Sequence, residues 1–245
     1  VVSLVEAAGA HGRQPRSLGL ELVIIRVLVL VFSVVVHEVA HGWTAYRLGD
    51  PTAHDAGRLT LNPWPHIDPV GSIIVPALLS LTGTIIMGWA KPVPVSPGRL
   101  RDPRNDYPKV AAAGPLSNLA LAGVFAVVLG LVVAWGHEAL GSSAGPTFAR
   151  FLVTMCQTGI VVNVVLAIFN LIPLPPLDGS WILTRFLKPA ARVRYENLRR
   201  YGMLIVVGFL LLMRYTLLGD MVNTGLFAVI TPFFHLAENV ASALA

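Results

Sequence analysis

One cysteine, Cys156, stands in the whole chain of 245 residues. A lone thiol closes no internal disulfide and cannot build a cysteine-based zinc site, so any metal must be held by His and carboxylate side chains. Set in an apolar segment, Cys156 reads as a packing residue. Charge is scarce as well. Asp, Glu, Lys and Arg make up 13% of the chain against 55% hydrophobic residues, and the mean hydropathy is +0.70. That balance excludes an ordinary soluble domain and points to an integral membrane protein. Acidic groups are the rarer sign, 13 against 18 Lys and Arg. The basic residues fall in short loops between apolar runs, where they orient a membrane protein, so nucleic acid is excluded as a partner. Residues 1–18 lack an apolar core followed by a small-residue cleavage site, and no signal peptide is expected.

Against this poverty of polar groups, His37-Glu38-Val39-Ala40-His41 places two imidazoles and a carboxylate inside an apolar run. Helical spacing puts His37 and His41 one turn apart on one face, where both rings can reach a single ion. In a zinc reading they are two ligands, and Glu38 stays off the metal as general base. Ionisable groups within a span are expensive and mark function by default. Two nitrogens do not complete a site.

Taken in order, the chain reads as an all-α polytopic membrane protein with about five transmembrane helices. The first helix runs from about Leu20 to Tyr46 and is stopped by Gly49-Asp50-Pro51. Residues 50–69 form a polar, proline-punctuated interfacial loop; its His54 and His66 stay outside the expected metal set. Residues 70–88 are apolar but short, and Trp89–Val95 alternates in a way that suits an extended segment. A re-entrant or extended segment near 70–95 is therefore expected in place of a span. Further apolar segments occur at about 110–135, 151–169, 201–218 and 221–237. Basic clusters at 96–109 and 185–200 place those loops in the cytoplasm. The span from Val110 opens with Ala111-Ala112-Ala113-Gly114-Pro115-Leu116-Ser117-Asn118, small residues that let a neighbouring helix approach and an Asn that offers hydrogen bonds in the apolar layer.

The second decisive stretch is Asn170-Leu171-Ile172-Pro173-Leu174-Pro175-Pro176-Leu177-Asp178-Gly179. Its prolines cannot continue a helix, so the backbone opens in mid-protein and presents Asp178 at the far edge. Asp178 is either the third ligand or the cap of the next helix; with His37 and His41 in place, the ligand role is favoured.

Together these stretches resemble the site-2 protease family of intramembrane zinc metalloproteases. The resemblance joins HEVAH, Gly114 through Asn118 and Asn170 through Gly179 in order across about residues 20–187. It is to a minimal form, without the PDZ insertion or CBS domain that some members carry. It implies one Zn2+ per chain held by His37, His41 and Asp178, with Glu38 as catalytic base, and a membrane-spanning protein substrate cleaved within the bilayer. It further implies that Asn118 supports the site and that Asn170, Pro173 and Pro175 engage the unwound substrate. Residues 1–245 are then a single membrane-embedded metalloprotease domain, with a core at 20–187 and a C-terminal helical pair at 201–237. A prokaryotic cell membrane is the expected location, with the active site toward the cytoplasm. Two alternatives stand beside this: a zinc or cation transporter using the same His, Glu and Asp, and a catalytically silent scaffold.

Overall fold

The computed structural model describes residues 16–68, 91–139, 145–215 and 218–244. Among these residues the regular elements are helices, with no strand. The main ones are α1 (Arg16–Arg47), α2 (Pro103–Ala139), α3 (Gly145–Leu171), α4 (Asp178–Thr184), α5 (Pro189–Glu196), α6 (Gly202–Tyr215) and α7 (Leu218–Leu244). Four described stretches are long and apolar enough to cross a bilayer: Glu21–Arg47, Pro103–Trp135, Phe148–Leu171 and Thr224–Leu244. This agrees approximately with the expected five. The expected segment at 201–218 is described as α6, of 14 residues, and residues 216–217 lie outside the described residues. Residues 69–90, which carry most of the expected re-entrant excursion, lie outside the described residues.

The chain forms two compact units. One gathers the N-terminal part of α1 with residues 119–165 and 221–245. Its interior is mostly apolar and small: Ala122, Ala126, Cys156, Val164 and Ala237 are buried there beside Ile160, and the buried Asn163 donates to Gly159 O at 2.8 Å. The buried, unpaired Cys156 fills the packing role expected of it. The other unit comprises residues 31–118 and 166–220, and it holds all of the candidate site residues singled out by the sequence.

In this second unit α1 ends in a Schellman turn. The N–H of Asp50 donates to Ala45 O at 2.9 Å and that of Gly49 to Tyr46 O at 3.1 Å, satisfying carbonyls that the helix leaves open. Gly49 takes φ +107°, which an L side chain rarely adopts, so the stop expected at Gly49-Asp50-Pro51 has its physical cause there. The Asp50 carboxylate then accepts from the Thr52 N–H at 3.0 Å and from the Ser96 N–H at 2.6 Å. Through Ser96 it fastens residues 91–96, which form no helix, to the end of α1. Two further ties hold that segment: the Lys91 N–H donates to His66 O at 2.9 Å, and Arg58 Nη2 donates to Lys91 O at 2.7 Å.

Along α1 one stripe at four-residue spacing is buried: Ile25, Val29, Ser33, His37, His41 and Ala45. Much of the remaining helix surface is exposed and apolar, including Val23, Ile24, Val27, Leu28 and Phe32, as a lipid-facing helix requires. From Ser33 to His41, α1 runs antiparallel to the start of α2, because Ser33 and His37 both meet Asn118 whereas His41 meets Val110.

Candidate metal centre

His37 and His41 share the buried stripe of α1, and their rings meet edge to face with centroids 4.6 Å apart. Their Nε2 atoms lie 3.0 Å from each other. Asp178 enters from α4, with Oδ2 at 3.1 Å from His37 Nε2 and 3.3 Å from His41 Nε2. The chain can deliver Asp178 to this point because Gly179 has no side chain. A Cβ there would fall on the Leu171 carbonyl, and 2.6 Å from Ile172 O, where the opened Ile172–Leu177 stretch doubles back on the end of α3.

The outer nitrogens of the two rings settle their tautomers. His41 Nδ1 lies 2.7 Å from the Val110 carbonyl, which only accepts, so Nδ1 carries the proton. His37 Nδ1 lies 2.6 Å from Asn118 Oδ1. The Asn118 amide is oriented by its Nδ2, which donates to Ser33 O at 3.3 Å, leaving Oδ1 to accept from the ring. In the neutral rings both Nε2 atoms therefore present lone pairs. They converge with Asp178 Oδ2, which is buried and has no hydrogen-bond partner. Three bare acceptors packed together in a dry place repel one another unless a cation joins them. Among the described residues, His37, His41 and Asp178 are the group of this kind able to hold an ion, their ligand atoms lying within 4.8 Å of one another. Two imidazole nitrogens and a carboxylate oxygen fit Zn2+, with a position left open for chemistry.

Glu38 is not part of that group. Its Oε2 accepts the Val93 N–H at 2.7 Å, so the non-helical segment 91–96 touches the carboxylate expected to act as base. Asn118 reaches the group through the His37 ring, which donates to its Oδ1. Asn170 donates its side-chain N–H to Leu166 O at 3.0 Å within its own helix. The Pro173 carbonyl accepts the Tyr195 hydroxyl at 2.7 Å, and Pro175 is fully buried. The loop histidines are used elsewhere: His54 is exposed, stacking on Tyr46 and pairing with Asp55, and buried His66 bonds Thr60 O through Nε2 at 3.0 Å.

Three participants escaped sequence reasoning: the Val110 carbonyl, the Val93 N–H and the space at Gly114. A Cβ on Gly114 would lie 2.6 Å from both Cε1 and Nε2 of His37 and against His41 Nε2. Gly114 therefore forms the wall that both rings face. Its signal was present, since Gly114 and Asn118 are one helical turn apart, as His37 and His41 are.

Helices long and apolar enough to span a bilayer, together with a His, His and Asp group able to hold an ion, define the class, a membrane protein with a candidate metal centre. The chain belongs to Peptidase family M50, the site-2 protease family, whose family model matches residues 25–213. It is 38% identical over 200 residues to the Bacillus subtilis (strain 168) protein named "Putative zinc metalloprotease YwhC", across 81% of this chain and 86% of that one. Two proteins named "Putative zinc metalloprotease Rip2" are also similar. The one from Mycolicibacterium smegmatis is 30% identical over 218 residues, 86% of this chain and 78% of the relative. The one from Mycobacterium tuberculosis (strain H37Rv) is 29% identical over 175 residues, 71% of this chain and 62% of the relative. No solved structure matches the chain.

Proposed function

We propose that this protein is an intramembrane zinc metalloendopeptidase that hydrolyses peptide bonds in membrane-embedded segments of substrate proteins. The observation that carries the proposal is the convergence of two proton-free Nε2 atoms and an unpartnered carboxylate oxygen. His37, His41 and Asp178 hold the metal. When bound, zinc supplies Lewis acidity and makes water a competent nucleophile near neutral pH. Asn118 and the Val110 carbonyl fix the ring orientations and keep the protons on the outer nitrogens. Glu38 is the general base. The Val93 N–H holds its Oε2, which leaves Oε1 to take the proton and return it to the leaving amine. Asn170 and the proline loop, which precede Asp178 directly in the sequence, engage the unwound substrate. The family model spans residues drawn from both compact units, which supports treating residues 1–245 as one catalytic domain. Neither family nor relatives favour a transporter or a silent scaffold.

The same geometry supports an assignment of sides. His37 and His41 lie toward the C-terminal end of the span Glu21–Arg47, Val110 and Asn118 toward the start of Pro103–Trp135, and Asp178 just past the end of Phe148–Leu171. One ion can join them only if those three ends share a membrane face. Residues 48–102 then begin and end on that face, and the Arg and Lys of 96–109 and 185–200 make it cytoplasmic. The bacterial relatives support a prokaryotic cell membrane. The testing experiment incubates purified, zinc-loaded protein in detergent with a panel of single-span substrates. Cleavage that requires both zinc and Glu38 supports the proposal, and zinc-independent cleavage, or none across the panel, overturns it.

A further inference from the structure

A second polar site lies within the same unit, apart from the metal centre. A cavity of about 420 Å³ is lined by Arg104, Tyr107, Trp181, Arg192, Glu196 and Arg199, together with two prolines. Its charges do not balance. The one lining carboxylate, Glu196, accepts from Arg192 Nε at 2.7 Å, and Arg104 and Arg199 add two further cations to the same lining. Arg199 is the less ordinary of these. Its guanidinium carbon sits 3.1 Å from the centre of the Trp181 ring, and Tyr107 meets the same ring edge to face at 4.4 Å. Its Nε and Nη2 are buried with no hydrogen-bond partner. Burial holds the Arg199 pKa below the usual arginine value, against the opposing pull of Tyr107, Tyr195 and Glu196. Guanidinium N–H groups buried without an acceptor are costly, and an anion in the adjoining cavity would offset that cost.

We propose that this cavity binds a phosphate oxyanion, held by Arg104 and Arg199 against the Trp181–Tyr107 floor. Arginine suits phosphate because its planar fork presents parallel N–H donors to two oxygens. Depth in the membrane favours a lipid phosphodiester as the source. Arg104 and Tyr107 belong to the first turns of the 33-residue span Pro103–Trp135. At ~1.5 Å per residue that span exceeds a ~30 Å hydrocarbon core by several turns, so its first turn stands at headgroup level. Anionic headgroups gather where basic residues flank a span. Trp181 also lies one helical turn beyond Asp178 on α4, so an occupant of the cavity braces the helix that supplies the third ligand of the proposed metal centre.

The test is isothermal titration of the full chain in detergent with inorganic phosphate, with dihexanoylphosphatidylglycerol and with zwitterionic dihexanoylphosphatidylcholine. This readout needs no turnover, so it succeeds or fails independently of the protease reading. One phosphatidylglycerol should bind per chain, at least tenfold more tightly than phosphatidylcholine. Arg104→Ala, at an exposed position where folding is not at stake, should weaken it about tenfold, and Arg199→Ala should weaken it further. Saturable binding of inorganic phosphate that competes with the lipid would support the same site with free phosphate as its occupant. Equal affinity for the two lipids with no phosphate binding, or anion binding unchanged in both variants, would overturn the proposal.

Discussion

Replacing Gly114 with Ala tests the metal centre at a residue that is neither ligand nor base. In a helix interior the change is favourable by about 1 kcal/mol, since Ala is the better helix former. A loss of function would therefore not come from a weakened α2. The added methyl would stand 2.6 Å from His37 Nε2 and closer still to His41 Nε2. Zinc bonds imidazole nitrogen at about 2.0–2.1 Å, so the methyl would intrude on the space that an ion bound to both nitrogens must use. Relief requires the rings to withdraw by most of an ångström to reach ordinary van der Waals separation. Withdrawal stretches the 2.6 Å bond to Asn118 and the 2.7 Å bond to Val110 beyond useful length. Losing such an outer-sphere bond typically costs 10–100-fold in metal affinity, so losing both should cost roughly 10²–10⁴-fold. The assay is zinc competition against a chromophoric chelator on the full chain in detergent, with thermal unfolding of the metal-free protein alongside. Gly123→Ala is the control, because a Cβ there meets nothing within 4 Å in the same helix. Zinc affinity in Gly114→Ala within about threefold of the parent, or an equal loss in Gly123→Ala, would refute the reasoning.

Four further outcomes are expected. Glu38→Gln should lower turnover by roughly 10²–10⁴-fold while retaining one zinc per chain by metal analysis, because it removes the base and spares the ligands. Asp178→Ala should lose both zinc and activity, and full zinc occupancy in that variant would reduce Asp178 to a helix cap. Asp50 gives a pH signature: burial alone would raise its pKa, but the donors from Thr52 and Ser96 hold it below the usual carboxylate value. Its contribution is then present above about pH 4 and lost as pH falls through the lower folded value, so Asp50→Ala should lower the melting temperature at pH 7 by more than at pH 3. In a Cys156→Ser background, single cysteines at exposed Leu61 and at Gly98 should both be shielded from an impermeant thiol reagent until the cells are opened; labelling of one but not the other in intact cells would reject the shared membrane face.

Much of the fold was legible because hydrophobic length and helix punctuation are local properties. The span to Arg47 and its stop at Gly49 arise from apolar content and from one residue that tolerates positive φ. The alternation around Trp89–Val95 anticipated extended backbone, and the described part of it, residues 91–96, forms no helix. Length was harder to read near residue 201. Composition there suits a span, yet five residues, Asn197–Tyr201, wind as a 3-10 turn before the α-helix that begins at Gly202. Nothing in hydropathy separates an apolar helix that crosses from one that is merely apolar.

The candidate site divides along the same line. His37, His41 and Asp178, which the structure brings together, could be proposed because polar side chains in an apolar run have few bland explanations. Apart from Asn118, the groups that contact these residues and Glu38 could not, because they are backbone atoms or an absence of atoms. The Val110 carbonyl, the Val93 N–H and the missing Cβ of Gly114 leave no trace in composition, and each acts across 55 to 81 residues of chain, as do the His37–Asn118 and Glu38–Val93 bonds. In the stripe Ile25, Val29, Ser33, His37, His41 and Ala45, the two apolar residues before Ser33 have equally apolar neighbours that face outward. Hydrophobic periodicity is silent in a helix that is apolar all round, since lipid and protein interior select the same residues. Direction therefore has to be read from the polar members of the stripe. Ser33, His37 and His41 each stand four residues apart, and Gly114 and Asn118 repeat that interval on α2. Two helices bearing polar or minimal residues at matching one-turn intervals can pack those faces together without stranding a donor or acceptor in lipid. That pairing makes the Nε2 atoms face Gly114 and Asp178, and it accounts for a ligand set assembled from two elements being oriented by a third.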